Sequence, residues 1–349
     1  MVCEIFSDRP NDLRRSILQL FGAVGLANLL AWGWALIAFR DYPVLLGTAL
    51  LAYGFGLRHA VDADHIAAID TTTRKLMEEG KRPLSLGFFF ALGHSTVVGL
   101  AATGVALTAG WLRGQFPELR EVGGLIGTSV SVLFLFAVAI ANLFILVAVW
   151  RSFRRVCRGG SLESGTLDVL LSRRGLLGRI FGWVFRIVGK SWHLYGVGFL
   201  FGLGFDTATE IGVLGIAAAE ASRGLSMWTT LVFPALFTAG MTLIDTTDSV
   251  LMVGAYGWAF AKPARKLYYN LTITFVSVIV ALLVGGVEGL GLLAEKFRLT
   301  GPFWNFIAAL NENFGSLGYV IIAIFAVSWL GAVMVYRLKR FGELETARG

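Results

Sequence analysis

The stretch Gly54-Phe-Gly-Leu-Arg-His-Ala-Val-Asp-Ala-Asp-His-Ile-Ala-Ala-Ile-Asp70 decides how the rest of the chain is understood. Eight consecutive positions in this apolar run hold five ionisable side chains, namely Arg58, His59, Asp62, Asp64 and His65. A charge at the centre of a bilayer costs at least about 2.5–3.5 kcal/mol, so these groups need partners, water or a bound ion. Imidazole nitrogens together with carboxylate oxygens suit divalent metals such as nickel, cobalt and zinc. The stretch therefore predicts a metal site inside a membrane span.

One carboxylate does not fit a regular helix. At 100° per residue, the side chains of residues 58, 59, 62 and 65 fall within roughly 120° of one another, whereas Asp64 points nearly the opposite way. Two structures would resolve the conflict. Either Asp64 contacts a different neighbour, for instance a histidine that it orients, or the helix is locally unwound at the motif.

The composition is that of a membrane protein. The 349 residues are 56% hydrophobic and 15% charged, with a mean hydropathy of +0.71, whereas ordinary soluble domains are about 25% charged. The apolar residues form repeated long runs, which predicts an all-α, polytopic protein whose main partner is the lipid bilayer. The net charge of +7 does not indicate a nucleic-acid partner, because the basic residues lie between the apolar runs.

Eight transmembrane helices are predicted, and some are long enough that tilts or breaks are expected. The spans are 16–39, 43–69, 84–110, 123–150, 193–219, 227–258, 267–294 and 314–336. Of the 30 Lys and Arg residues, 23 fall in the two termini and in the segments after the second, fourth and sixth spans. The positive-inside rule therefore places the N- and C-termini in the cytoplasm.

The longest connection divides the chain into three parts. Residues 1–150 form a four-helix half that carries the His-x4-Asp-His motif, 151–192 a basic cytoplasmic loop, and 193–349 a second four-helix half with acidic motifs. The sequence Phe-Gly-Leu precedes an aspartate in the second span, at Phe55, and again in the fifth, at Phe201. Because these spans run in opposite directions across the membrane, one interpretation of the shared sequence is an inverted repeat.

Three further spans contain polar groups that require an explanation. His94 lies in the third span; Asp206 and Glu210 lie four residues apart in the fifth; Asp245 and Asp248 lie three apart in the sixth. Each could be a hydrogen-bonded packing device between helices. Paired carboxylates on one helix face repel each other, so they should hold a cation, share a proton or pair with Arg58. Polar clusters in four different spans favour a functional site over packing in every case.

Two sequence motifs are missing, and their absence narrows the classes of protein to be considered. No Gly-x-x-x-x-Gly-Lys-Ser/Thr loop is present, so the chain has no P-loop ATPase of its own. No His-Glu-x-x-His motif occurs, although His59, Asp64 and His65 could imitate the open site of an intramembrane metallohydrolase. That enzyme is the alternative from another functional class.

Four stretches resemble the signature motifs of the nickel/cobalt transporter (NiCoT) family. They are Arg58-His-Ala-Val-Asp-Ala-Asp-His-Ile66, Leu92-Gly-His-Ser95, Leu203-Gly-Phe-Asp-Thr-Ala-Thr-Glu210, and Gly240-Met241 followed by Asp245-Thr-Thr-Asp248. The resemblance covers the whole chain and is strongest to the high-affinity nickel permeases of bacteria.

The resemblance implies a secondary transporter, not an enzyme, that takes up Ni²⁺, and in some members Co²⁺, across the bacterial inner membrane. It implies no resident cofactor and no ATPase subunit. Its metal-site residues here are His59, Asp62, Asp64, His65, His94, Asp206, Thr207, Thr209, Glu210, Asp245 and Asp248. A cobalt or broad divalent-metal carrier stays open at this point, because nickel and cobalt accept the same ligands. The resemblance disfavours efflux, although the physical properties of the site do not exclude it. The oligomeric state is equally open.

Overall fold

The chain is helical wherever its structure is described. A computed structural model describes residues 7–10, 12–107, 188–203, 208–260 and 263–338, together with scattered positions between 128 and 154. Within these ranges every regular element is an α-helix and no strand occurs. The prediction of an all-α protein is confirmed.

Eleven helices are defined in these ranges. They are α1 (Leu13–Ala38), α2 (Leu45–His59), α3 (Ala63–Glu78), α4 (Leu86–Leu107), α5 (His193–Gly202), α6 (Ala208–Ser222), α7 (Met227–Thr230), α8 (Val232–Phe260), α9 (Pro263–Phe297), α10 (Pro302–Glu312) and α11 (Phe314–Leu338).

Four segments are long and apolar enough to cross a membrane. They are Leu13–Ala38, Leu86–Gly104, Met227–Gly257 and Thr274–Phe297, and each coincides with a predicted span. Shorter apolar helical stretches lie at Gly212–Ala221 and Tyr319–Ser328. Most of the predicted fourth span and of the loop 151–192 lies outside the described residues.

One of the predicted spans is interrupted. The span predicted at 43–69 is divided into α2 and α3 by residues 60–62. In the span predicted at 193–219, α5 ends at Gly202 and α6 is described from Ala208, and residues 204–207 lie outside the described part of the chain. Discontinuous helices in a membrane are typical of ion sites in transporters, because freed backbone groups there line a polar cavity.

Helix α8 lies at the centre of the described part of the chain. It packs against α1, α2, α3, α4 and α9, while α4 also packs along α5. On one side of α8, Phe233 stacks on Phe39 of α1 with ring centroids 5.3 Å apart. The opposite face of α1 exposes Leu29 and Ile37, as expected for a helix in contact with lipid.

Two helix pairs make the same unusually close contact. In α2, the motif Tyr53-Gly-Phe-Gly56 packs against Phe237-Thr-Ala-Gly240 of α8. A Cβ atom built on Gly56 would lie 2.1 Å from the Phe237 carbonyl oxygen, and one on Gly240 would lie 2.7 Å from that of Tyr53. Only glycine permits the two backbones to approach so closely.

The second pair repeats the first. In α5, Tyr195-Gly-Val-Gly198 packs against Phe90-Ala-Leu-Gly93 of α4. A Cβ on Gly198 would lie 2.1 Å from the Phe90 carbonyl oxygen, and one on Gly93 would lie 1.9 Å from that of Tyr195. The similarity between the two parts of the chain therefore extends from the shared Phe-Gly-Leu sequence to two matched helix pairs.

The first glycine of each Tyr-Gly-x-Gly motif provides a matched control for the second. A Cβ on Gly54 meets nothing within 4 Å, whereas one on Gly56 overlaps backbone atoms of α8. We expect Gly56→Ala to lower the free energy of unfolding by about 1–3 kcal/mol, because the two helices must separate to admit the methyl group. Gly54→Ala should be neutral or stabilising, since alanine favours the helix. Thermal unfolding in detergent compares them, and equal midpoints would contradict the close contact.

Candidate metal centre

The interruption between α2 and α3 brings the two histidines of the motif together. His59 is the last residue of α2, and Asp62 has extended backbone angles (φ −65°, ψ 148°) immediately before α3 begins. Asp62 thus occupies the N-cap position, where aspartate usually accepts hydrogen bonds from the first turn. Here it makes no capping bond, and its Oδ2 lies 2.9 Å from His59 Nδ1 instead.

Three imidazoles from three helices converge in the interior. His59 of α2, His65 of α3 and His94 of α4 are at most 3% exposed. Their ring centroids are 4.7 to 5.0 Å apart, and one nitrogen from each lies within 4.8 Å of the other two. Such a group of buried nitrogens could hold a divalent metal ion.

The first turn of α6 closes the site from the second half of the chain. Glu210 Oε1 lies 2.7 Å from His94 Nε2 and 4.0 Å from His59 Nε2. Thr209 Oγ1 lies 3.2 Å from His59 Nδ1. The carboxylate therefore faces the same space as the imidazole nitrogens.

Three of these atoms have the geometry of metal ligands. His59 Nε2 and His94 Nε2 are 2.9 Å apart, so the three distances of 2.9, 2.7 and 4.0 Å define a nearly right-angled triangle with its corner at His94 Nε2. The midpoint of the long side is consequently about 2.0 Å from each atom, a normal metal–ligand bond length.

Around an ion at that midpoint the three atoms would form a T, an arrangement found in square or octahedral coordination. Tetragonal nitrogen and oxygen sets are typical of Ni²⁺ and Cu²⁺. Tetrahedral coordination, which zinc prefers, would place every pair of ligands about 3.3 Å apart. The observed distances of 2.7 and 4.0 Å depart from that value in opposite directions.

Two carboxylates orient the histidines. Asp62 Oδ2 lies 2.9 Å from Nδ1 of His59, and Asp245 Oδ2 of α8 lies 3.2 Å from Nδ1 of His65. Where these carboxylates are ionised they can only accept hydrogen bonds, and a neutral ring then carries its hydrogen on Nδ1 and keeps the lone pair of Nε2. Fixing the tautomer in this way is how outer partners prepare histidines for metal binding.

Several polar atoms around the imidazoles lack a hydrogen-bond partner within the described part of the chain. They are Asp62 Oδ1, Asp64 Oδ1, His65 Nε2, His94 Nδ1 and Asp248 Oδ2. Leaving such an atom buried and unbonded costs about 1–3 kcal/mol, more for a charged group. A concentration of them is typical of a functional site rather than of a packing cluster.

The structure brings together seven of the predicted site residues. They are His59, Asp62, His65, His94, Thr209, Glu210 and Asp245. Asp64 and Asp248 lie nearby, each with one unbonded oxygen, and Asp206 and Thr207 lie outside the described residues. Arg58 is exposed on α2.

A second polar cluster, not predicted from the sequence, lies farther along α3. The predicted second span ends at residue 69, which places Arg74 in a cytoplasmic segment, but α3 continues to Glu78 and the Arg74 side chain is completely buried. The charged residues at 70, 74 and 78 recur every four positions, which would have indicated one polar face of a continuing helix.

Comparison with known proteins identifies the family. Residues 45–335 match the family profile NicO, described as high-affinity nickel-transport protein. The chain is 60% identical to the high-affinity nickel transport protein of Cupriavidus necator, over 95% of both chains. It is 50% identical to the nickel transporter NicT of Mycobacterium tuberculosis, over 89% of this chain and 86% of the relative.

A more distant relative carries the name of another metal. The cobalt transport protein NhlF of Rhodococcus rhodochrous is 42% identical, over 93% of this chain and 94% of its own. No solved structure matches the chain.

These relatives are named as transporters and not as enzymes, which confirms the prediction that the chain is not an enzyme and removes support from the metallohydrolase alternative. Several apolar helices in a transporter family imply a multi-pass membrane protein. The chain belongs to the NicO family of high-affinity nickel-transport proteins.

Proposed function

We propose that the protein takes up Ni²⁺ across the bacterial inner membrane as a single-component secondary transporter. The observation that carries this proposal is the right-angled set of His59 Nε2, His94 Nε2 and Glu210 Oε1, whose distances suit one tetragonal ion. Relatives at 60% and 50% identity that are named as nickel transporters support the choice of metal.

In this proposal the ion exchanges part of its water shell for the side chains of the site. His59, Glu210 and His94 bind in one plane, and the unbonded Nε2 of His65 approaches as a further ligand. Asp62 and Asp245 hold His59 and His65 in the tautomers that leave Nε2 free. Because a ligand nitrogen must be free of hydrogen, a neutral His94 binds the ion through Nε2 only with its hydrogen on Nδ1, an atom that has no hydrogen-bond partner within the described residues.

The donor set explains which ions the site rejects. Magnesium and calcium prefer sites made only of oxygen, so two or three imidazoles disfavour them. Zinc prefers a tetrahedral set that the observed distances do not provide.

Cobalt is the second candidate substrate. Co²⁺ accepts the same nitrogen and oxygen ligands, and the relative from Rhodococcus rhodochrous is named a cobalt transport protein. A carrier for both ions would use the same residues.

The proposed architecture follows the sequence prediction. Eight spans with both termini in the cytoplasm divide into halves at residues 1–150 and 193–349, joined by the basic loop 151–192. The two matched glycine contacts support an inverted repeat with the site between its halves. No ATPase is required, because a membrane potential of 100 mV favours influx of a divalent cation by about 4.6 kcal/mol.

The direct test is uptake of radiolabelled nickel at sub-micromolar concentration, in cells that express the chain. We expect saturable uptake that excess magnesium and zinc do not suppress. Equal suppression by cobalt would identify a carrier for both metals. Uptake no higher than in cells with an empty vector, with the protein present in the membrane, would reject the proposal.

The histidines provide an internal comparison, because the chain has four and the site uses three. His59→Ala and His94→Ala should reduce nickel uptake to background, a greater loss than the 10–100-fold cost typical of an outer partner. His193→Ala is the control, since His193 lies at the start of α5 and accepts a hydrogen bond from the Gly189 amide. Normal uptake by either site variant, at equal amounts of inserted protein, would exclude that residue as a ligand.

The two aspartates of α8 should have separable effects. Asp245→Asn replaces a carboxylate by a neutral amide whose nitrogen can only donate, so the His65 tautomer is less firmly fixed and nickel affinity should fall about 10–100-fold. Asp248→Asn should slow transport while leaving affinity within about twofold, because within the described part of the chain Asp248 makes no hydrogen bond to the imidazoles. Equilibrium nickel binding by purified protein, set beside initial uptake rates, distinguishes them. Identical losses of affinity would mean that Asp248 also binds the ion.

A further inference from the structure

One face of α8 borders the metal centre. The Phe237 ring lies 5.5 Å from the His59 ring, measured between centroids, and Asp245 Oδ2 lies 3.2 Å from His65 Nδ1. Met241 is four residues from both Phe237 and Asp245, so on a helix with about 100° per residue it lies about 40° from either one. Its side chain is fully buried. Met241 therefore faces the imidazoles from the turn between these two contacts.

The usual direction of helical side chains brings the methionine sulfur toward His59. Long side chains on a helix lean toward its N-terminus, over the residue one turn earlier. For Met241 that residue is Phe237, whose ring borders His59. Met241 and Phe237 belong to one buried cluster with Ala60, the residue that follows His59. The thioether is thus directed to the part of the centre that holds the His59 ring.

The repeated helix contact places Met241 where the other helix pair has a histidine. In α8 the segment Phe237-Thr-Ala-Gly-Met241 packs on α2, and in α4 the segment Phe90-Ala-Leu-Gly-His94 packs on α5. In both segments the phenylalanine carbonyl presses against a glycine of the neighbouring helix, and the last residue follows the segment's own glycine. Under the proposed inverted repeat, Met241 and His94 occupy equivalent positions.

Ring contacts support this equivalence. The third residue after the close glycine is His59 in α2 and Phe201 in α5. The His59 ring lies 5.5 Å from Phe237, and the Phe201 ring lies 5.4 Å from Phe90. The two helix pairs therefore match in their side chains as well as in their backbones. With the site between the two halves, a residue equivalent to His94 lies close to the same centre.

A thioether differs in character from the other groups of the centre. It is uncharged and has no hydrogen to release, and its sulfur is soft and polarizable. Soft sulfur ligands suit late transition metals, whereas Mg²⁺, Ca²⁺ and Mn²⁺ prefer oxygen. Blue-copper proteins use a methionine sulfur as a weak axial ligand beside two histidines. An ion bound in the plane of His59, His94 and Glu210 has positions outside that plane for such a ligand.

We propose that Met241 is a specificity-determining residue of the metal centre: its thioether contacts the bound ion and favours nickel and cobalt over harder divalent ions. The inference deepens the proposed function, on which its role in transport rests. Contact between sulfur and metal is a property of the purified protein and can be tested whether or not the chain moves nickel.

The first experiment records X-ray absorption at the nickel edge for purified full-length protein loaded with Ni²⁺. The chain has two cysteines and six methionines, so Cys3→Ser and Cys157→Ser are introduced throughout to exclude thiolates. We expect a sulfur neighbour of nickel in the protein that retains Met241 and none in Met241→Leu. Leucine conserves the volume of methionine, so the substituted core should remain folded.

Met252→Leu is the matched control. Met252 also lies on α8 and is partly buried, on nearly the same face as Met241 but about 16 Å farther along the helix. Its nickel spectrum should keep the sulfur neighbour. A spectrum without sulfur in the protein that retains Met241, or one that keeps sulfur in Met241→Leu, would overturn the proposal.

The affinities for two metals separate a ligand from a packing residue. Met241→Leu should weaken equilibrium binding of Ni²⁺ at least about fivefold while leaving that of Mn²⁺ within about twofold, because manganese gains little from sulfur. An equal loss for both metals would reject the role in specificity, since a disturbed core affects every ion alike.

The second experiment measures uptake of radiolabelled nickel in cells with Mn²⁺ as competitor. Manganese should inhibit Met241→Leu at least about fivefold more strongly than the unsubstituted protein or Met252→Leu. Equal sensitivity in all three would contradict the proposed selection. If the unsubstituted protein moves no nickel, the proposed function fails, while the absorption spectrum still decides whether the sulfur contacts the ion.

Discussion

Contact between helix backbones is the constraint on which the metal centre depends. The carbonyl oxygens of Phe237 and Phe90 press against Gly56 and Gly198 at distances that no larger residue allows. The first contact lies three residues before His59, and the second fixes α4 only four residues before His94. Two of the three histidine-bearing helices are thereby held against helices of the second half, α2 against α8 and α4 against α5, which fixes the positions from which His59 and His94 extend.

The polar groups of the site stabilise one another in apolar surroundings, where each alone would be costly to bury. Asp62 could have capped α3, yet it bonds to His59, so a helix end is left uncapped in favour of an oriented imidazole. A capping bond contributes about 0.5–2 kcal/mol of helix stability, and this is the stability that α3 lacks at its uncapped end. Natural proteins commonly depart from local structural preferences at functional positions, and Asp62 is such a departure.

The sequence indicated which polar residues belong together better than it indicated how they are arranged. Clusters of charge within apolar runs were sufficient to single out His59, His65, His94, Glu210 and Asp245, which the structure places side by side, because unpaired charge is so unfavourable in lipid. The break at residues 60–62 was foreseen only as one of two possibilities, since helical periodicity cannot say whether a conflicting residue turns away or the backbone bends. The pairing of Asp245 with His65 could not be foreseen, because the residues are 180 positions apart and nothing local encodes their contact.

The donors of the site are divided between the two halves of the chain. His59, His65 and His94 come from the first half, whereas Thr209, Glu210 and Asp245 come from the second. Under the proposed function, a bound ion would be held by ligands from both halves, and its affinity would depend on how the halves are docked. A shift of one half against the other by about an ångström or two would then release the ion without any competing ligand.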